Sequence, residues 1–128
     1  GLTFLLEEAF KTTTIKSQDL FDRFITTPNL HIFVGVIDGR IVACHSVVIE
    51  NKLIHDYGKV AHMEDLAVLE EYRRLGLAAE MLKFTKLFCQ ESGAYKILAT
   101  CTSDMLPYYS EVVGFKVHEV SLRVDFEL

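Results

Sequence analysis

This sequence predicts an α/β (α+β) fold, a mixed central sheet with helices on both faces, and three observations carry the prediction. The tight-turn dipeptide Asp38-Gly39 separates two β-branched runs and specifies an antiparallel hairpin. A strand-like run ending at Val68 precedes a long helical pattern and then another strand-like run, which is the signature of a parallel crossover. Hydrophobic residues fill 50% of the 128 positions and only 2 are Pro, enough apolar surface for one packed core and too much for a disordered chain.

The elements follow in chain order. Leu5, Leu6, Ala9 and Phe10 share one helical stripe, which Thr12-Thr13-Thr14 breaks. Ser17 is the expected N-cap of a second helix carrying Leu20, Phe21, Phe24 and Ile25, stopped before Pro28. His31 to Ile37 and Arg40 to Glu50 form the hairpin, and a third strand runs from Lys59 or Val60 to Val68. Leu77, Met81, Phe84 and Phe88 then fall on one face of a helix over Gly76 to Glu91, ended by Ser92-Gly93. Tyr95 to Cys101 reads as a strand, Asp104 to Val113 as a short helix, and Phe115 to Phe126 as closing β structure. A single domain over residues 1–128 is expected.

Composition narrows the function classes. A net charge of −5 argues against a nucleic-acid scaffold or an anionic membrane surface. No apolar run approaches the roughly 18 residues that a bilayer span needs. Cys44, Cys89 and Cys101 are odd in number and lack CxxC spacing, which predicts free thiols in a reducing cytoplasm. Gly1-Leu2-Thr3-Phe4 has neither a basic head nor a cleavage pattern, so no secretory signal is expected. A start on Gly1 rather than Met makes the natural start an expected omission.

Four strings carry candidate chemistry. Arg73-Arg74-Leu75-Gly76-Leu77-Ala78 lies between strand and helix, where small residues and the free N–H groups of a first helical turn suit a pyrophosphate; an ordinary loop would read the same way. It is neither a Walker loop nor a dinucleotide fingerprint. His62-Met63-Glu64-Asp65 places two acids in succession within a strand, so one carboxylate would face the core unless a bulge or cleft intervenes, or the strand is shorter. Its spacing does not match a zinc motif, and no metal is expected. Tyr108-Tyr109 can supply a phenolic proton donor or simply core packing. Asn51-Lys52-Leu53-Ile54-His55 holds two cations that fit either a phosphate or solvent, while His31, His45 and His118 read as structural or surface histidines.

Together these strings resemble the GCN5-related N-acetyltransferase (GNAT) superfamily and, within it, the eukaryotic glucosamine 6-phosphate N-acetyltransferases. Arg73 to Ala78 matches the R/Q-x-x-G-x-G/A coenzyme A loop. Val47-Val48-Ile49-Glu50-Asn51-Lys52-Leu53-Ile54-His55, Gly58 and His62-Met63-Glu64-Asp65-Leu66-Ala67-Val68 match a longer and more specific signature, continued by Tyr95-Lys96-Ile97 and by Tyr109 with Gly114-Phe115. The resemblance covers Ile41 to Phe115. It implies that the main chain of Leu66, Ala67 and Val68 pairs with a pantetheine arm, and that Arg73, Arg74, Leu75, Gly76, Leu77 and Ala78 cradle the pyrophosphate of acetyl-CoA. It further implies that Lys52, Leu53, Ile54, His55, Glu64, Asp65 and Leu66 line an amino-sugar phosphate site. Tyr109 would protonate the departing thiolate and also contact the coenzyme, with Glu64 and Asp65 as the acids of the site. Amides near Leu66 would stabilise the oxyanion, transfer would be direct, and Cys101 would be dispensable.

Three departures stand out. The family has an acid before the cysteine of its fifth strand, contacting the substrate amine; here that position is Thr100, which can only hydrogen bond. Amine deprotonation then falls to water, Asp104 or Glu64. Four residues, Ser110 to Val113, separate Tyr109 from Gly114, one more than the family usually has. Arg123 is the candidate for a C-terminal arginine reaching the sugar phosphate. The implied activity is acetyl-CoA-dependent conversion of glucosamine 6-phosphate to N-acetylglucosamine 6-phosphate in UDP-N-acetylglucosamine synthesis, by a cytoplasmic homodimer. An acetyltransferase acting on another amine, such as a peptide N-terminus, lysine or polyamine, and a non-catalytic coenzyme A-binding module are the alternatives. The superfamily begins with a strand before its first helix, so the first strand is expected to be missing or shortened.

Overall fold

Asp38 (φ 50°) and Gly39 (φ 75°) both adopt left-handed backbone, the type I′ geometry whose twist matches paired strands. The turn sets the register of β1 (Leu30–Ile37) against β2 (Arg40–Asn51), from Ile37 opposite Arg40 to Leu30 opposite Val48. The structure is a computed structural model and describes residues 2–10 and 17–127, the side chain of Thr3 excepted. Gly1 and the Thr12-Thr13-Thr14 break lie outside these residues. β3 (Lys59–Val68) runs antiparallel to β2, and β4 (Ala94–Ala99) runs parallel to β3, giving a mixed four-stranded sheet in the order β1-β2-β3-β4.

Each sheet face takes a different helix. Phe33, Ala43, His45, Val47, Ile49, Ala61 and Met63 project toward α4 (Leu77–Glu91), which buries Leu82, Thr85 and Cys89 against them. A Cβ on Gly35 would meet Met81 Sδ at 3.2 Å and Ala43 Cβ at 3.3 Å, so glycine there admits the helix. On the opposite face Val42, Cys44 and Ala67 receive Leu5 of α1 (Leu2–Phe10). α2 (Gln18–Ile25) begins as expected, with the Leu20 amide donating to Ser17 Oγ at 3.3 Å, but none of its residues is buried.

The connection from β2 to β3 is a single turn, α3 (Ile54–Tyr57), in which His55, Asp56 and Tyr57 all have φ between 52° and 59°. Three successive left-handed non-glycine residues cost about 1–2 kcal/mol each, so packing must hold them. Tyr95 does part of this, its ring 4.6 Å from that of His55.

Two expectations fail at the C-terminal end. β4 stops at Ala99, so Thr100 and Cys101 are outside it. The run Phe115 to Phe126 contains no strand: a strand needs a neighbour for its N–H and C=O groups, and among the described residues no element pairs with it. Its apolar side chains Val117, Val120, Leu122, Val124 and Phe126 are 73–92% exposed.

Candidate active site

Consecutive acids in β3 are accommodated by a β-bulge. Ser46 pairs with Glu64 and Cys44 with Ala67, so His45 alone on β2 opposes Asp65 and Leu66 on β3. Asp65 takes φ 54° to do this. Both carboxylates reach solvent and neither enters the core, which is one of the alternatives that the sequence left open. Beyond the pair Met63–Ala99 the parallel ladder ends while β3 continues, and the parted strands enclose a cavity of about 780 Å³.

Polar main chain closes one end of this cavity. Gly76 caps α4 with φ 79° and no side-chain cap, and Arg74 before it has φ 65°. First-turn N–H groups of a helix have no intrahelical partner and sit at the positive end of the dipole. Here they border the cavity at Gly76, Leu77, Ala78 and Ala79, with Arg73 and Arg74 beside them. None of the described residues lies within 4 Å of a Cβ built on Gly76, so they leave the approach to this backbone open. Arg73 Nε donates to Val68 O at 2.9 Å and ties the loop to the end of β3. The donor set fits an anion such as a pyrophosphate, and the volume fits a ligand of cofactor size.

A second cavity of about 400 Å³ lies along the continuation of β4, on the sheet face opposite α4, and has His62 and Leu98 in its wall. Glu64, Thr100, Cys101 and Tyr109 line both cavities, so the two meet at these residues. Tyr109 is placed by a π-helical turn over Tyr108–Val112, closed by the Val113 amide on Tyr108 O at 3.2 Å. Such a turn holds one residue more than an α-turn, and it absorbs the extra residue before Gly114 without removing Tyr109 from the junction. Burial, then Cys101 and Tyr108, push the Tyr109 phenol up, so it stays protonated and able to donate.

Known proteins resemble this chain in sequence and in fold. The chain matches the Acetyltransferase (GNAT) family over residues 2–115. The chain belongs to the GNAT family. Against glucosamine 6-phosphate N-acetyltransferase of Trypanosoma brucei brucei it is 33% identical over 94 residues, covering 73% of this chain and 63% of that protein. Against glucosamine 6-phosphate N-acetyltransferase 1 of Dictyostelium discoideum it is 32% identical over 82 residues, 64% of this chain and 52% of that protein. This GNAT chain thus spans between about half and two thirds of the length of these curated relatives. The crystal structure of glucosamine-6-phosphate N-acetyltransferase from Arabidopsis thaliana superimposes with a TM-score of 0.90 at 26% identity, covering 99% of this chain and 90% of that one.

In this GNAT chain the cavities gather Glu64, Asp65, Leu66, Ala67, Val68, Arg73, Arg74, Gly76, Leu77, Ala78, Thr100 and Tyr109. Leu75 is 70% exposed and lines neither, because the turn into Gly76 points it outward. Lys52, Leu53, Ile54 and His55 also line neither. They sit beyond the Asn51–Lys59 pair, about 17 Å along β3 from Glu64 at roughly 3.3 Å per residue. Arg123 is exposed and paired with Asp125 at 2.7 Å, and Asp104 faces neither cavity. Sequence reasoning missed Ala9 and Phe10 of α1 in the larger cavity and His62 in the smaller. The alternation of β3 held a signal for His62, since it shares a face with Glu64. Among the described residues, no group of three or more His, Cys, Asp or Glu could hold a metal ion, and no helix is long and apolar enough to cross a membrane.

Proposed function

We propose that this chain is one GNAT domain over residues 1–128 that transfers the acetyl group of acetyl-CoA to the 2-amino group of glucosamine 6-phosphate. The reading rests chiefly on the junction of the two cavities at Glu64, Thr100 and Tyr109, which lets a donor in the larger meet an acceptor in the smaller. The N–H groups at the start of α4 bind the pyrophosphate, and the main chain of Leu66, Ala67 and Val68 beyond the bulge holds the pantetheine arm like an added strand. N–H groups near Leu66 stabilise charge on the carbonyl oxygen, and Tyr109 protonates the leaving thiolate. The chain supplies positioning and proton transfer; no acyl group need be attached to it.

The acceptor phosphate takes His55 and Arg123 from a second copy, since these two residues lie away from the cavities of their own chain, and takes Lys52 from the chain whose Glu50 and His62 it borders. The exposed alternating run to Phe126 is the surface on which two copies join into a homodimer. A cytoplasmic location suits Cys44, Cys89 and Cys101, all free thiols. The test is thiol release from acetyl-CoA with glucosamine 6-phosphate and with glucosamine: a strong rate with the first and none with the second is expected, and equal rates overturn the assignment.

Thr100 favours a second reading, in which the same fold acetylates another amine. Lys52→Ala separates the two. It raises the KM for the sugar phosphate and leaves that for acetyl-CoA under the first reading, and changes neither under the second.

A further inference from the structure

An acceptor amine enters as an ammonium and must lose a proton before it can attack, yet Thr100 cannot take one. The smaller cavity contains several titratable groups. Tyr109 is a proton donor by its raised phenol, His118 is exposed beside Glu119 at 3.4 Å, and Lys116 is a cation. Glu64 is an exposed carboxylate with no side-chain partner among the described residues to aim it. His62 differs from all of these. It lies mid-strand in β3 between Val48 and Leu98, half-buried, with Nε2 2.8 Å from Glu50 Oε1. A carboxylate only accepts, so Nε2 carries the proton and Nδ1 holds the ring's lone pair. Lys52 Nζ, 3.1 Å from the same Glu50 oxygen, steadies the carboxylate behind the ring.

We propose that His62, oriented by Glu50, is the residue that accepts the proton of the acceptor amine in this chain. The inference rests on the reading that the smaller cavity receives an amine. In the step, one N–H bond of the ammonium breaks and its proton passes to His62 Nδ1, giving an imidazolium paired with Glu50. The freed nitrogen lone pair forms the C–N bond to the acetyl carbonyl as the C–S bond breaks. The sulfur takes the Tyr109 proton, Tyr109 is restored by the second proton leaving nitrogen, and His62 returns its proton to solvent. The balance is one amide, one thiol and one proton released. A carboxylate holding an imidazole in one tautomer is the orienting device of the serine hydrolase triads, used here on nitrogen.

The charged and titratable groups around His62 are Glu50 and Lys52 at the end of β2, Glu64 on β3, Lys96 on β4, and Cys101, Tyr109, Lys116, His118 and Glu119 beyond it. The test is the pH profile of kcat, measured by thiol release with glucosamine 6-phosphate. His62→Gln should lower kcat by about 100-fold or more and remove the His62 limb, so that rate follows ionisation of the amine itself, while calorimetric affinity for acetyl-CoA is kept. Adding Thr100→Asp to that variant should recover at least about tenfold, because a carboxylate returns next to the amine. Glu50→Gln, which leaves the imidazole in place, should lower kcat about tenfold, because its amide no longer fixes the tautomer that presents Nδ1. An unchanged rate and limb in His62→Gln overturns the proposal. So does a loss that is equal at every pH, not rescued at position 100 and with kcat unchanged in Glu50→Gln, which marks a structural role. A wild-type chain that turns over another amine but not the sugar phosphate overturns the proposed function alone, and the same profiles are then read with that amine.

Discussion

His45 is fully buried on the α4 face of β2, with Nε2 2.6 Å from Thr85 Oγ1. Thr85 Oγ1 itself donates to Met81 O at 2.9 Å, so the imidazole Nε2 donates and its Nδ1 has no partner among the described residues. Burial pushes this histidine down to about 4 from 6.5. The unfolded chain therefore binds the extra proton first. Stability from the neutral ring is complete above pH 6.5 and falls as pH drops toward 4, by up to about 3 kcal/mol. Urea unfolding at pH 7.5 and pH 5 should show about 2 kcal/mol of this difference, and the double variant His45→Leu with Thr85→Val should show much less. At the junction of the cavities, Tyr109→Phe should lower kcat about 100-fold and leave acetyl-CoA binding by calorimetry intact. A parallel loss of binding would mean that Tyr109 packs the site and does not donate in it.

Two glycines govern how elements present the site. Gly76→Ala meets no neighbour but keeps a left-handed φ of 79°, so it should cost about 1 kcal/mol in thermal unfolding and raise the KM for acetyl-CoA. Gly58→Ala is the opposite case, with an ordinary φ but a Cβ 2.9 Å from His55 O and 3.0 Å from the Tyr95 ring. It should displace the turn holding Lys52 to His55 and cost about 1–3 kcal/mol. Such local features were legible in the sequence. Asp38-Gly39 specified its hairpin and Ser17 its cap, because each is decided by neighbours within a few residues, while Glu64-Asp65 narrowed its strand to a bulge, a cleft or an early end and the register showed the bulge. What was not legible is separation in space. The turn holding Lys52 to His55 belongs to one motif with Glu64 yet is separated from it by half of β3, and strand length, which sets that distance, is not a property of the motif. His62 was passed over for a related reason: its partner Glu50 is on another strand, and only the register of β2 against β3 brings them together. The alternation from Val117 to Phe126 likewise records that a strand is possible without recording whose edge it joins.

At the scale of the whole molecule the proposed site takes residues from two chains. Light scattering behind size exclusion should give twice the chain mass. Removing residues 116–127 should give a monomer that still binds acetyl-CoA at the α4 end but turns over no sugar phosphate. A full-length monomer with full activity would remove the partner from the acceptor site. The exposed apolar run also has a consequence for how output responds to supply. If pairing completes the site, specific activity falls on dilution, and near the dissociation constant a doubling of protein more than doubles the rate. Abundance then acts as a throttle. A cell could regulate acetylation by how much of the chain it makes, with no effector and no change to any residue of the site.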